Sequence, residues 1–536
     1  MKNYKNKLFI RAALFGVAAL FIFSGCKNEP KFSDIDGAAS KKWAVNNPNP
    51  TTRVKNLDFI FNNKTLGKTT IVIKRSEWNK LCDNYRYFYK NENCVHAQSY
   101  TYEKDGKSWT MNDVGFRLRG NTSRFCPQGI DNGRKQGQPN VQWSTEYYMY
   151  AERPNNDYRQ SHFKVDFEEF LSDDDEQKMA DCLKGIALKR MDHSCGREIF
   201  CYDLFHKYGV WTAPRASHTR LILHFIEDIE DESCKTIRKI DYGVYEMFEE
   251  VNKQSLKARD KDNSPYANAW QNNKGNLWKC AGADLTNTWG MGVENIVINF
   301  DENGNRISKT WDAYSMDLKT NKSDFEKASE EFKVFINELN ALSDPKNSKD
   351  TAAINKIKDF YEKWFDIDLF LLTYAVNILF GMDDDYWGNA NNYYLYFDTG
   401  SKGTGKVYFI PFDYDNSLGC SIFDGGFKQN PLEWGRGKNR PLMDKLLKVP
   451  EYKTKFSKLL LQVSAEDSYW NFNDCSKQFL YWRNLVSPYL NSKDLEGHIA
   501  VKRWDDYTWQ PSGYSLTNYQ NNIFDATRES FQNHLR

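Results

Sequence analysis

The chain has 536 residues, with 73 Lys and Arg against 72 Asp and Glu, a formal net charge of +1. Such a balance sets up no global field for nucleic acid or an acidic membrane face, and no basic run with interleaved aromatics suggests nucleic-acid binding. Hydrophobic residues at 40% and aromatics at 15% suffice for a sizeable core, in two to four domains or one large elaborated one. The aromatic excess also suits an exported protein that handles sugars or peptides.

The N-terminus reads as an export signal. Lys2, Lys5, Lys7 and Arg11 make a positive region, followed by an apolar stretch from Ala12 to Phe23. That stretch is short of the roughly 20 apolar residues of a membrane span, so residues 1–25 are expected to be a leader outside the fold. Phe23-Ser24-Gly25-Cys26 has the pattern of a bacterial lipobox. It predicts cleavage before Cys26 and lipid on its thiol, where two or more chains hold firmly and one only marginally. The expected address is the cell envelope, anchored outside the cytoplasm at the outer membrane or cell surface. The alternative is an ordinary secretory signal with a chance cysteine.

Eleven cysteines and eight histidines are scattered, without a C-x-x-C, which argues against structural zinc. With Cys26 lipidated, ten remain in a compartment that permits disulfides. Cys82 with Cys94, and pairings among Cys182, Cys195, Cys201 and Cys234, are possible bridges; free buried thiols are an equal reading.

Residues 26–52, rich in Asn, Pro and Ser, read as a flexible tether. From Val54 the pattern turns β-like, with NLDFIF and then KTTIVI, and residues 53–110 are expected to be a β-rich segment. A core is expected over 111–450. DVGFRLRGNTSR predicts a hairpin, 126–161 a long inserted loop, and SHFKVDF and KGIALKRM strands. REIFCYDLFHKYG predicts a helix ended by Gly209, and HTRLILHFIE and DYGVYEMFEEV strands. DENGNRISKTWD echoes a calcium loop through Asp301, Asn303, Asn305 and Asp312, but lacks the Gly and Glu that such a loop needs and reads as a hairpin. Residues 323–380 are mainly helical, NNYYLYF and KVYFIPFDYD are strands, and 451–536 form a helical extension. The class is α+β.

The densest polar constellation begins where the apolar helix DIDLFLLTYAVNILFG ends. Asp383, Asp384, Asp385, Asn389, Asn391 and Asn392 lie between that helix and a strand, and Asp413 and Asp415 close the next strand. Carboxylates this dense repel one another unless a cation sits between them, and an Asp/Asn oxygen set suits a hard cation such as Mg²⁺. The spacing matches kinase-type phosphoryl transfer, where a helix-to-strand Asp accepts the hydroxyl proton and an Asn and a later Asp bind metal. A solvated acidic turn would look the same for the DDD run alone.

At these residues the sequence resembles the CotH kinase-like proteins. The likeness runs from about residue 110 to 430 in separate blocks: VGFRLRGNTSR, SHFKVDF, REIFCYDLFHKYGVWTAPRASHTRL, GVYEMFEEVNKQSLK, GNLWKC, MDLKTN, DDDYWGNANNYYLY and FIPFDYDNSLG. It departs in the long insertion before Lys164, in Met382-Asp383 where Asn-aromatic is commoner, and in Phe412 where Trp is usual. The resemblance implies an atypical protein-kinase-like fold, with a β-rich N-terminal half and a helical C-terminal half, that binds ATP or another nucleotide with Mg²⁺ or Mn²⁺ and phosphorylates protein. It makes Asp384 the catalytic aspartate and Asp413 the metal-binding one, with Asn392 as second ligand; Asp385 and Asp415 compete for those roles. It makes Lys164 the phosphate-contacting lysine, Glu198 its ion-pair partner, Arg119 and Gly120 the phosphate-covering turn, and Glu249 with Glu250 a hinge bordering the nucleotide. The expected function is an exported, lipid-anchored kinase acting on envelope or surface proteins. A non-catalytic kinase-like surface module is the alternative, and a glycan or nucleotide hydrolase a third.

Overall fold

The computed structural model describes residues 50–535 apart from 88–92, 121–125, 131–152, 159, 173–174, 192–195, 227–236, 301–305, 313, 401, 420–428, 491–497 and 501–522. Cys26 and most of the tether lie outside these, as do Cys195 and Cys234. The described chain opens on a helix, α1 (Thr52–Phe61), where alternation in NLDFIF predicts a strand. The residues it buries, Val54, Leu57, Ile60 and Phe61, have helical spacing, and the Thr51 hydroxyl caps it by accepting from the Val54 N–H.

Strands β1 (Gly67–Lys74), β2 (Val95–Lys104) and β3 (Lys107–Leu118) follow, with helix α2 (Arg75–Tyr87) after the first. Two short paired strands, β4 (Gln128–Ile130) and β5 (Arg153–Tyr158), lie within 126–161, where the sequence predicts only a loop. Then come β6 (Phe163–Asp166), β7 (Gly185–Arg190), helix α3 (Arg197–Lys207), β8 (Ala216–Ile226) and β9 (Ile237–Phe248). The order β9-β7-β6-β3-β2-β1-β8, with β8 pairing back onto β9, closes seven strands into a barrel. The parallel β1–β8 pair, from Gly67↔Thr219 to Lys74↔Ile226, is the closing seam. Ile71, Tyr100, Phe116, Val165, Ile186 and Leu188 belong to the barrel's own core, whereas Ala187 packs into the second core outside it. Alternation along β7 therefore turns Ala187 and Lys189 outward together.

The second half starts with a short helix, α4 (Lys253–Ala258), and strands β10 (Asn276–Cys280) and β11 (Met291–Gly292). Strands β12 (Asn295–Phe300) and β13 (Arg306–Asp312) form the expected hairpin, and β14 (Met316–Leu318) precedes helices α5 (Phe325–Ala341), α6 (Thr351–Trp364) and α7 (Ile367–Leu379). A single-turn helix, α8 (Tyr386–Asn389), leads into β15 (Tyr393–Asp398) and β16 (Lys406–Pro411). Helices α9 (Pro450–Val463) and α10 (Phe472–Leu490), strand β17 (His498–Ala500) and helix α11 (Ile523–Leu535) complete the described chain. β17 adds to β9 outside the ring. A five-stranded sheet, β11-β14-β10-β15-β16, backs onto these helices. Asp366 caps α7, and every residue from Leu369 to Leu379 is buried, as in a helix apolar all round. Among the described residues no helix is long and apolar enough to cross a membrane.

Cys94, Cys182, Cys280 and Cys475 are free thiols. The Cys82–Cys94 bridge is therefore not made, and burial followed by Glu169 pushes the Cys94 thiol up to about 12. Glu249 leaves the end of β9 and meets Arg259 fork to fork, at 2.8 and 2.7 Å, while accepting the Arg215 N–H at 3.0 Å. Burial would raise this carboxyl, but Arg259 and then Arg215 hold it at about 2. The Glu249 side chain thus ties the barrel to α4 instead of facing a nucleotide. Arg259→Met strands a buried carboxylate and is expected to cost about 3–5 kcal/mol, read as a lowered midpoint in denaturant unfolding.

Candidate active site

In the five-stranded sheet Tyr393 pairs with both Cys280 and Pro411. This register puts the start of β15 and the end of β16 at one edge, so Asn392 and the Phe412-Asp413 turn emerge side by side. The barrel supplies the other side of the site through β7 and the end of β3, and α3 lies between.

Lys189, on β7, is the link. Its Nζ donates to Glu198 Oε2 of α3 at 2.7 Å and to Asp413 Oδ1. Burial would discharge it, but Asp413 and Glu198 hold its ammonium above the ordinary lysine range. For Asp413, burial opposes the charge, yet Lys189, then Arg119 and Lys279, keep its carboxyl below its usual range. Tyr202 Oη donates to Glu198 Oε1 at 3.3 Å and accepts the Asp413 N–H at 3.0 Å, and the Tyr414 N–H donates to Glu198 Oε1 at 3.2 Å. Glu198 thus holds the lysine and the Tyr414 N–H directly, and the Asp413 N–H through Tyr202.

The partner of Glu198 is Lys189, and the expected Lys164–Glu198 pair is not formed. Lys164 pairs with Ala187 across the β6–β7 ladder, so it faces the same side as Lys189 but lies two residues further from the site along the strand direction. Two residues are roughly 7 Å, and Glu250 takes Lys164 at 3.2 Å instead. Glu249 is thus held by Arg259 and Glu250 by Lys164.

The three consecutive aspartates part company. Asp383 is 1% exposed and accepts from Arg436 Nη2 at 2.9 Å and Gln429 Nε2 at 3.2 Å. Asp385 is a buried cap of α8: Oδ1 accepts the Gly388 N–H and Oδ2 the Asn377 Nδ2, each at 2.6 Å. Both of its oxygens are thus engaged in capping α8 and holding Asn377. Burial, against those donors, pushes Asp385 up to about 7. Asp384 differs in kind, because among the described residues amides alone serve it. Asn389 and Asn391 donate to Oδ1 at 2.7 and 3.2 Å, and Asn392 and Asn416 to Oδ2 at 2.9 and 3.4 Å. These bonds fix its orientation without a cation neutralising it.

Asn377 was not legible as a site residue. It donates to Asp385 and accepts the Tyr414 hydroxyl at 2.6 Å, coupling the aspartate loop to the Asp413 turn. Asn392 and Asp413 both adopt left-handed backbone, with φ of 56° and 62°, a strain of about 1–3 kcal/mol each that concentrates at functional sites. Arg119, at the end of β3, donates its N–H to His162 O at 3.0 Å, and Gly120 has φ of 102°. Asp415 opens toward solvent, with its backbone oxygen taking Arg197 Nη1 at 2.8 Å.

Among the described residues no group of three or more His, Cys, Asp or Glu is arranged to hold a metal. Mg²⁺ in phosphate sites commonly needs only one or two carboxylates, with phosphate oxygens and water completing the shell. Asp413 and Asp415 supply that number of carboxylates.

A barrel lysine bonded to a helix glutamate, beside oxygen-bearing loops at strand ends, defines a site with kinase-like parts. The chain belongs to the CotH kinase protein family, whose model matches residues 141–496, more than half of the sequence. No curated protein and no solved structure is found to match it. Membership gives the chain a kinase-like function.

Because Asp385 is protonated more readily folded than unfolded, its ionisation weakens the fold as pH rises from near 4 toward about 7. Asp385→Asn should therefore show a smaller loss of thermal midpoint than the unsubstituted protein between pH 5 and 8, measured without nucleotide or metal.

Proposed function

We propose that this protein is a divalent-metal-dependent phosphotransferase of kinase-like fold, moving phosphate from a nucleotide such as ATP to hydroxyls of envelope or surface proteins. The observation that carries this reading is the buried Lys189–Glu198 pair reaching Asp413. An ammonium fixed between a helix and a metal-type aspartate is how kinase sites position phosphates.

In this reading Lys189 contacts the donor phosphates while Glu198 fixes its position. Mg²⁺ or Mn²⁺ entering with the donor would be held by Asp413, Asp415 and Asn392, and would supply neutralisation of charge on the phosphoryl oxygens. Asp384, oriented by its amides, accepts the proton of a Ser, Thr or Tyr hydroxyl as the oxygen attacks. Arg119 and Gly120 stand at the barrel rim, where a turn could cover the phosphates.

The purified protein should label itself or an added acceptor when given Mg²⁺ or Mn²⁺ and labelled ATP. Asp384→Ala, Asp413→Ala and Lys189→Met should keep their circular dichroism and lose about a hundredfold or more of transfer. Lys164→Met should stay within the same order as the unsubstituted protein. Transfer at the unsubstituted rate in the Asp384 or Asp413 variant would sink the assignment. Nucleotide binding without any transfer would favour the non-catalytic surface module.

The address is part of the proposal. The basic n-region, short apolar stretch and Ser24-Gly25-Cys26 support export and lipid attachment at Cys26, with residues 26–52 as the tether. In cells, Cys26→Ala should abolish incorporation of labelled palmitate and move the protein out of the membrane fraction; unchanged incorporation would overturn the anchor.

A further inference from the structure

Two cations beside the Asp413 turn make no ion pair among the described residues. Lys279, on β10, stands opposite Asp317 of β14 and Tyr394 of β15. Asp317 is taken by Lys319, which Glu294 also joins at 3.3 Å. Lys279 Nζ instead lies 5.9 Å from the Phe412 ring centroid, directly before Asp413, and Phe412 in turn packs edge-on against Tyr394. Among the described residues its ammonium makes no hydrogen bond or ion pair.

Arg119 is its counterpart on the barrel side. Among the described residues its guanidinium likewise makes no hydrogen bond or ion pair. The ladder sets Leu118, Phe163 and Leu188 abreast, and the Arg119 N–H on His162 O carries it one residue further, so Arg119 emerges at the same barrel end as Lys189. Lys189 is bonded to Asp413 and Glu198, which leaves Arg119 and Lys279 without a bonded countercharge among the described residues. Holding an ammonium half-buried and unpaired is unfavourable, and two such cations at one carboxylate repel each other. Both costs are relieved by a ligand with several negative oxygens. A single carboxylate or chloride could satisfy one cation; only a polyanion reaches both.

We propose that Lys279 and Arg119 clamp the phosphate chain of the donor from the two sides of the cleft, one from the five-stranded sheet and one from the barrel. This inference rests on the phosphotransferase reading and deepens it, since it makes the polyphosphate, more than the base, what the site recognises. Because the two cations belong to different halves, binding would also draw the barrel and the sheet together.

Inorganic tripolyphosphate tests the clamp without any chemistry. Binding to the full chain is followed by calorimetry and thermal shift, with ATP and adenosine in parallel. Lys279→Met and Arg119→Met should each weaken tripolyphosphate and ATP by at least about tenfold, with adenosine unchanged. Lys279→Arg, which keeps the charge, should recover most of the affinity. Since Lys279 makes no ion pair to break, Lys279→Met should unfold close to the unsubstituted midpoint. Equal tripolyphosphate affinity in Lys279→Met and the unsubstituted protein, or no binding by the latter, would overturn the clamp. Lys279-dependent tripolyphosphate binding in a protein that transfers no phosphate would leave the clamp standing and remove the phosphotransferase reading.

Discussion

One ammonium between two carboxylates holds together three elements that the chain order keeps apart. Lys189 comes from the barrel, Glu198 from the helix after it, and Asp413 from a turn more than two hundred residues later. Each carboxylate would be costly at that depth without the cation, and the cation would be costly without them. The arrangement is poor evidence for stability as such. Its value lies in position, because Tyr202 and Tyr414 bind Glu198 and Asp413 into one hydrogen-bonded unit. Through Asn377 the same unit reaches the cap of α8, and so the loop that presents Asp384.

The division among neighbouring carboxylates follows from what each one meets. Asp383 finds Arg436, Asp385 finds a helix N-terminus, and Asp384 finds only amides. Amide donors orient a carboxylate while leaving its charge for an incoming group. Asp413 and Asp415 show the same economy, with a cation fixed beside the first and the second left facing the cleft. The uneven distribution of countercharge, more than the number of acids, separates structural from chemical roles.

Much of this was legible in the sequence, and the exceptions have physical reasons. The helices over 323–380, the strands around IPFDYD and the α3 helix follow from apolar period and breakers. Lys189 was missed because Lys164 and Lys189 look alike as strand lysines; only the ladder register shows which one reaches α3. The NLDFIF run satisfies both the strand and the helix period, and the Thr51 cap decides it. Asp384 and Asp385 are adjacent acids whose difference is a matter of burial and partners. Barrel closure was beyond local pattern, since β1 and β8 pair without any short-range signal. Lys279 was passed over within GNLWKC because an absent counterion is a property of three dimensions.

That closure bears on how the molecule comes into being. The β1–β8 seam joins positions about 150 residues apart, Gly67 with Thr219, and such non-local pairing forms slowly because a long loop must close before any contact rewards it. Lys189 lies on a strand inside that loop and acquires its outward face only once its neighbours are in register. Lys189 and its barrel neighbours are thus assembled late, by the same event that closes the barrel's strand edges. A partly folded chain would carry the acidic loops but not the ordered cations beside them. Competence for polyanions then becomes a report on completed folding.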